Sequence, residues 1–227
     1  MHGTFKPNSV EIDPAILYFG TPVVLIGTAN EDDSYNLAPM SSVWWLGWRC
    51  MLGLARSSKT TENLIRTREC VLNLPSADLV NSVDRLARTT GSDPVPAGKL
   101  WRGYRHEKHK FEISGLTAAP GSTVCAPRAL ECPVQLEAKV VNVHGVATDD
   151  DVLRGNLVAI EVRTTRVHAD PEIMMEGHIN RIDPDKWRPL IMSFQEFYGL
   201  TPRKLQRSEL AQIPESQYRP PGWKPAA

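Results

Sequence analysis

The residues at 21–29, TPVVLIGTA, are apolar without a polar break and rich in β-branched side chains, which predicts a buried strand. NEDDSYN follows with turn chemistry, and a second strand is expected from Tyr35 as YNLAPMSSVWW. Pro39 breaks that strand, because proline cannot donate to a ladder and so favours an edge or a bulge. WRCMLGLA (residues 48–55) reads as the strand that pairs with it across Leu46 and Gly47. In CPVQLEAKVVNV the apolar positions Val134, Leu136, Ala138 and Val140 alternate with Gln135, Glu137 and Lys139, a period of two with one buried face. GNLVAIEVRTTRVHAD repeats the pattern with Val158, Ile160 and Val162.

Two segments change period. TTENLIRTR predicts a short helix with Thr60 as its cap, Glu62 in the first turn, and Arg66 and Arg68 at the end, where the helix dipole favours cations. SADLVNSVDRLA (residues 76–87) predicts an amphipathic helix capped by Ser76, with Leu79, Val83 and Leu86 on one face. Residues 88–110 are rich in Gly, Pro and charge and read as an exposed excursion with one short helix. ECVLNLP between the two helices returns as a strand; after Asp183 a helix and then an extended, Pro-rich end are expected.

The sum is a mainly β chain, an antiparallel sheet or barrel with inserted helices. It is expected to form a single domain over residues 1–227, with a core of about 15–198 and a C-terminal extension from 199. No G-x-G-x-x-G follows a strand, which argues against a dinucleotide-binding Rossmann unit.

Charge is balanced, 26 basic against 26 acidic side chains, so no basic field is available for nucleic acid or a membrane surface. The N-terminus lacks the basic start and apolar core of a signal peptide, and a cytoplasmic location is expected. Cys50, Cys70, Cys125 and Cys132 lack the close spacing of a zinc or redox motif and read as reduced, partly buried thiols. His106 and His109, at i and i+3, could share a helix face, but their neighbours Arg105, Lys108 and Lys110 favour a solvated basic segment over a metal site. No metal is expected.

ARSSKTTENL carries the candidate chemistry. A strand ending at Ala55 delivers Arg56, Lys59 and the hydroxyls of Ser57, Ser58 and Thr60 to the mouth of a helix whose first N–H groups lack partners. Such a set suits a phosphate monoester; the alternative is a capped surface helix with solvated charges. Ser41 and Ser42 follow the Pro-kinked strand, where freed backbone groups can meet the edge of a planar heterocycle. A ligand with a ring at one end and a phosphate at the other, a flavin or a pyridoxal-type cofactor, would touch both segments. Trp44 and Trp45 point to opposite strand faces, so only one of them can share a face with the serines.

These residues resemble a known family. YNLAPMSSVWWLG with MLGLARSSKTTENLIRTRECVLNL is similar to the flavin reductase-like family of FMN-binding split barrels, with its Asn-x-Ala-Pro-x-Ser strand and Ser-x-x-Thr-x-x-Asn phosphate segment. KFEISGLTAAPGSTVCAPRALECPVQLEAKVV resembles the family's Gly-Leu-Thr stretch and Glu-Cys-Pro strand. VRTTRVHADPEI and INRIDPDKWRPLIMSFQEFYGL resemble its closing strand and C-terminal helix region.

The resemblance implies a Greek-key barrel of about six strands, a homodimer, and FMN held non-covalently in a groove at the dimer interface. It assigns Asn36, Ala38, Pro39, Met40, Ser41 and Ser42 to the flavin ring and ribityl chain, and Ala55, Arg56, Ser57, Ser58, Lys59, Thr60 and Asn63 to the phosphate end. Catalytic residues are not assigned. Two-component reductases of the family often carry a Gly-Asp-His sequence before the last barrel strands, and Asn156 stands at the matching position here.

The leading expectation is an FMN-dependent oxidoreductase that takes electrons from NADH, NADPH or a protein donor and passes them to a small acceptor or to free flavin. Asn156 motivates an alternative, a flavin carrier or electron-transfer protein with no substrate of its own. A third reading keeps the barrel and exchanges the cargo for haem or a deazaflavin.

Overall fold

The computed structural model describes residues 9–219, 221 and 222, so the first eight residues and most of the final GWKPAA lie outside it. Seven strands form one antiparallel sheet: β1 (Val24–Ala29), β2 (Tyr35–Met40), β3 (Val43–Leu46), β4 (Arg49–Ala55), β5 (Glu69–Leu74), β6 (Val134–Val146) and β7 (Leu157–Ala169). Their spatial order is β2-β1-β5-β6-β7-β4-β3. β2 and β3 are therefore the two edges of the sheet, yet only Ser41 and Ser42 join them. The sheet must roll until its edges meet at that corner, which makes a barrel split along one seam.

The YNLAPMSSVWW segment is thus two strands on opposite edges rather than one broken strand. Pro39 lies opposite Leu25 on edge strand β2, where its missing N–H leaves no gap in an inner ladder. β3 pairs with β4 as expected, from Val43 opposite Leu52 to Leu46 opposite Arg49.

Two apolar layers explain the unbroken run at the start of β1. Val24 and Ile26 face the barrel interior with Leu52, Leu72, Leu136, Val140, Ile160 and Val162. Val23 and Leu25 face a second layer with Leu37, Val83, Leu86, Leu116 and Leu190. Both faces of β1 are covered, so the strand is apolar except for Thr28, whose buried hydroxyl accepts from Asn63 Nδ2.

The same covering corrects the reading of β6. Gln135 and Glu137, expected on an open face, are buried because residues 117–132 fold over them. Glu137 is fully enclosed and accepts hydrogen bonds from the Ser122 and Thr123 N–H groups, the Thr123 hydroxyl and His168 Nε2.

α1 (Lys59–Thr67) packs across one end of the barrel and buries Leu64 in its core. The amphipathic segment at 76–87 is shorter than its pattern suggests: a 3-10 turn Ala77–Leu79 leads into α2 (Val80–Asp84). Its predicted face holds, since Val83 and Leu86 are buried and Leu79 packs beside them. Ser76 makes no side-chain cap; its backbone instead bridges to Pro189.

Residues 183–199 do not turn helical. After a short turn, Leu190–Ser193 (β8) and Glu196–Gly199 (β9) form a hairpin against Thr21–Pro22. Leu190, Met192 and Phe197 insert from it into the second layer, a strand-like use of apolar residues that the prolines and charges before them obscured. No described helix is long and apolar enough to cross a membrane.

Candidate functional site

The two sequence-predicted segments meet. Asn36 on β2 is buried, and its Nδ2 donates to Thr60 Oγ1 on α1 at 3.0 Å, across 24 positions of sequence. Ser42 lies beside β4, where its carbonyl accepts from Gly53 N–H at 2.8 Å. The seam of the barrel is therefore bordered by residues 36–42 on one side and by the end of β4 and the mouth of α1 on the other. Ala38, Pro39, Met40 and Ser41 are half-buried along it, while Ser42, Ala55, Arg56 and Ser57 are exposed.

The helix mouth is built differently from its sequence reading. Ser58, not Thr60, is the N-cap: its Oγ accepts from Thr61 N–H at 3.1 Å and lies 2.9 Å from the Thr61 hydroxyl. Thr61 in turn donates to the Ala55 carbonyl. Thr60 is already inside the helix, which frees its hydroxyl for Asn36. Asn63 is committed to the sheet, donating to Thr28 Oγ1 and Asn30 Oδ1 and accepting from Arg66. The Arg56 N–H is taken by the Asn156 carbonyl at 2.9 Å.

Lys59 is paired with Glu31 at 2.8 Å and Glu62 at 3.4 Å, so its charge is partly spent. What stays available at the mouth is the Arg56 guanidinium, the Ser57 hydroxyl and the first-turn N–H groups the cap leaves over.

Sequence reasoning missed the third wall. Residues 88–110, read as an exposed excursion, dock on β2. Lys108 pairs with Asp32 at 2.6 Å, and Phe111 meets Tyr35 edge-to-face at 6.4 Å. Lys110 opens α3 (Lys110–Ser114) and is only 2% exposed, its Nζ reaching the Leu37 carbonyl at 3.4 Å. Thr90 is buried and accepts from Lys99 Nζ at 3.1 Å. Between them Gly91 sits so close that a Cβ there would lie 2.7 Å from Asn36 Oδ1 and 3.1 Å from Lys59 Cγ. The hydroxyl run Thr89, Thr90, Ser92 and a lysine among aromatics were the available signals, hidden by the surrounding Gly, Pro and charge. His106 and His109 do not share a helix face: the first sits in a two-residue strand and the second precedes α3.

This wall is short of anions. Burial lowers Lys110 to about 8, and repulsion from Lys99 adds to it. Ser92 Oγ is buried with no hydrogen-bond partner among the described residues. A buried ammonium with one long contact and an orphaned hydroxyl, next to a helix mouth, are costly unless a ligand completes them. The donor set fits a phosphorylated group and offers no metal ligands; among the described residues no cluster of three His, Cys, Asp or Glu side chains exists.

A cavity of about 1240 Å³ lies elsewhere. It is lined by Trp48, Arg49, Arg163, His178, Arg181 and Tyr218, among others. Arg49 stands six residues down β4 from Ala55, roughly 20 Å away at strand rise.

Comparison with known proteins decides the family. Residues 16–199 match the sequence model of the family described as flavin reductase like domain. The chain belongs to this family. A Bacillus subtilis (strain 168) relative, the uncharacterised protein YdfE, is 37% identical over 190 residues, 84% of this chain and 88% of its own. Flavoredoxin of Desulfovibrio vulgaris (Miyazaki F) superposes with a TM-score of 0.71 at 20% identity, covering 90% of this chain and all of that one. Nitrilotriacetate monooxygenase component B from Bacillus cereus gives 0.68 at 14% identity, covering 89% and 100%. At such identities the structural likenesses establish the shared fold, the split barrel of flavin reductase-like proteins.

Proposed function

We propose that this flavin reductase-like protein binds FMN along the barrel seam and works as an FMN-dependent oxidoreductase delivering electrons to a small acceptor. The observation that carries the reading is the Asn36–Thr60 contact, which brings the candidate ring strand and the candidate phosphate helix into one groove. When bound, FMN supplies two-electron chemistry toward a reductant and one- or two-electron chemistry toward an acceptor.

The chain's own residues hold and orient the cofactor. Arg56, Ser57 and the first-turn N–H groups of α1 take the phosphate, with Lys110 and Ser92 adding charge and a hydroxyl from the docked wall. Residues 38–42, with no bulky polar side chain, let the ring lie against the backbone of the edge strand. The seam stays open to solvent on one side, and Trp44 and Leu46 on β3 beside it are exposed. We propose that a second copy covers that side and excludes water from the ring, so that the working unit is a homodimer.

Stopped-flow mixing of the FMN-loaded protein with NADH and with NADPH tests the activity. Bleaching of the flavin absorbance within seconds by either nucleotide is the expected result, and no bleaching by either contradicts direct use of pyridine nucleotides. Asn156 favours a second reading for that case. Its amide cannot exchange a proton near neutral pH, and its position is set by its Nδ2 bond to Val152 O and its carbonyl bond to Arg56, at the groove mouth. An imidazole there could serve as a proton carrier, and an amide cannot. FMN that is reduced by a protein donor but not by NADH or NADPH would make this chain an electron carrier.

A further inference from the structure

A second cleft lies on the outer side of the segment that walls the groove. Arg85, Arg88 and Arg105 line it together with Ala87, Ile113 and a single carboxylate, Asp84, around a volume of about 340 Å³. Arg85 is held in place, its Nη2 donating to Ser82 Oγ at 3.1 Å and to the Ser114 carbonyl at the end of α3. Among the described residues the Arg88 and Arg105 side chains make no hydrogen bond or ion pair.

Two glycine turns lie against arginines of the cleft. Gly103 and Gly115 both have left-handed backbones, with φ of +76 and +70. A Cβ at Gly115 would lie 3.1 Å from Arg85 Nη2, and one at Gly103 would lie 3.5 Å from Arg88 Nη1. The two arginines thus lie over turns that only glycine forms without strain. Parallel pairing of Thr89 with Arg105 then places the third arginine alongside.

The charge is locally unbalanced in a chain whose net charge is zero. Three guanidinium groups face one carboxylate, and Arg105 is close enough to act on buried Lys110 behind it. Converging forks of N–H donors with little intramolecular compensation recognise phosphoryl oxygens best, because each guanidinium can donate two parallel bonds. The volume lies at the low end for small-molecule pockets, so it suits a phosphate or diphosphate and not a whole dinucleotide.

We propose that the Arg85, Arg88 and Arg105 cleft binds a phosphoryl group of a small molecule, at a site separate from the flavin groove. The source is either a pyridine nucleotide, anchored by its 2′-phosphate or its diphosphate bridge, or a free inorganic anion. The proposal does not depend on flavin binding.

Isothermal titration of the full chain with pyrophosphate, NADPH and NADH, with and without saturating FMN, tests it. Saturable 1:1 binding of pyrophosphate that weakens with added salt is expected, with a loss of at least about tenfold in the exposed double variant Arg88→Ala/Arg105→Ala. FMN affinity should be unchanged in that variant. Where pyrophosphate binding is lost tenfold, a matching loss for NADPH but not NADH assigns the 2′-phosphate, equal losses for both nucleotides assign the diphosphate bridge, and no loss for either nucleotide assigns a free anion. No saturable pyrophosphate binding by the unaltered chain, or affinity within twofold in the double variant, overturns the proposal. Parallel loss of FMN affinity overturns it as a separate site, whereas a chain that binds pyrophosphate but no FMN refutes the flavin reading and leaves this one standing. Melting curves check that the variant is folded, and Arg88→Lys/Arg105→Lys, which keeps the charge but not the fork, should retain an intermediate affinity.

Discussion

Lys110, proposed above to serve the cofactor phosphate, carries a charge that burial penalises. Its folded value of about 8 lies below the ordinary 10.5, so burial of its charged form opposes folding at neutral pH, and stability should rise as pH increases from about 8 to 10.5. Lys110→Met is expected to leave the FMN-free protein equally or more stable in urea at pH 7, to abolish that alkaline rise, and to weaken FMN by tenfold or more, about 1.4 kcal/mol. Glu137 is the opposite case. Burial alone would raise it, but the Ser122, Thr123 and His168 donors hold it at about 2 against an ordinary 4.5. Its stabilisation, on the order of 3 kcal/mol, is therefore complete above about pH 4.5 and is lost as pH falls toward 2. Glu137→Gln should be less stable than the parent at pH 7 and should converge on it only as pH falls to about 2 in denaturant titrations.

At the scale of elements, the division of labour inside ARSSKTTENL can be separated by substitution. Ser58→Ala removes the cap and should cost about 1 kcal/mol of stability while leaving FMN affinity within about threefold. Ser57→Ala should do the reverse, with little effect on stability and a measurable loss of FMN affinity by flavin fluorescence titration. Strands and their buried faces were legible because period two survives in β6 and β7, and the unbroken run of β1 signals cover on both sides. The cap was misplaced by two residues because Ser57, Ser58, Thr60 and Thr61 are all competent caps, and only the fold decides which faces Thr61 N–H. The β8–β9 hairpin was not legible: four-residue strands among prolines and charges carry no period, and Leu190 is specified by the layer it enters rather than by its neighbours.

For the whole molecule, the unexpected result is the position of one dipeptide. Ser41 and Ser42 join the two edges of the sheet, so the corner that the sequence marks with proline and serine is also the place where the barrel splits. That topology could not be read from spacing, because adjacent strands in the chain normally pair and β2 and β3 do not. The excursion at 88–110 escaped for a related reason. Its buried residues, Thr89, Thr90, Ser92 and Lys110, are polar, and Lys110 is held against the edge strand at the Leu37 carbonyl. The proposed FMN site rests on the seam and this docked wall, where Ser92 Oγ is buried without a partner among the described residues and the Lys110 ammonium has one long contact. FMN titration of the purified protein, followed by flavin fluorescence and visible absorbance, measures this most directly. Uptake of one FMN per chain, weakened at least tenfold by Lys110→Met combined with Ser57→Ala, is the predicted result; absence of uptake, or uptake that the double substitution leaves unchanged, would contradict it.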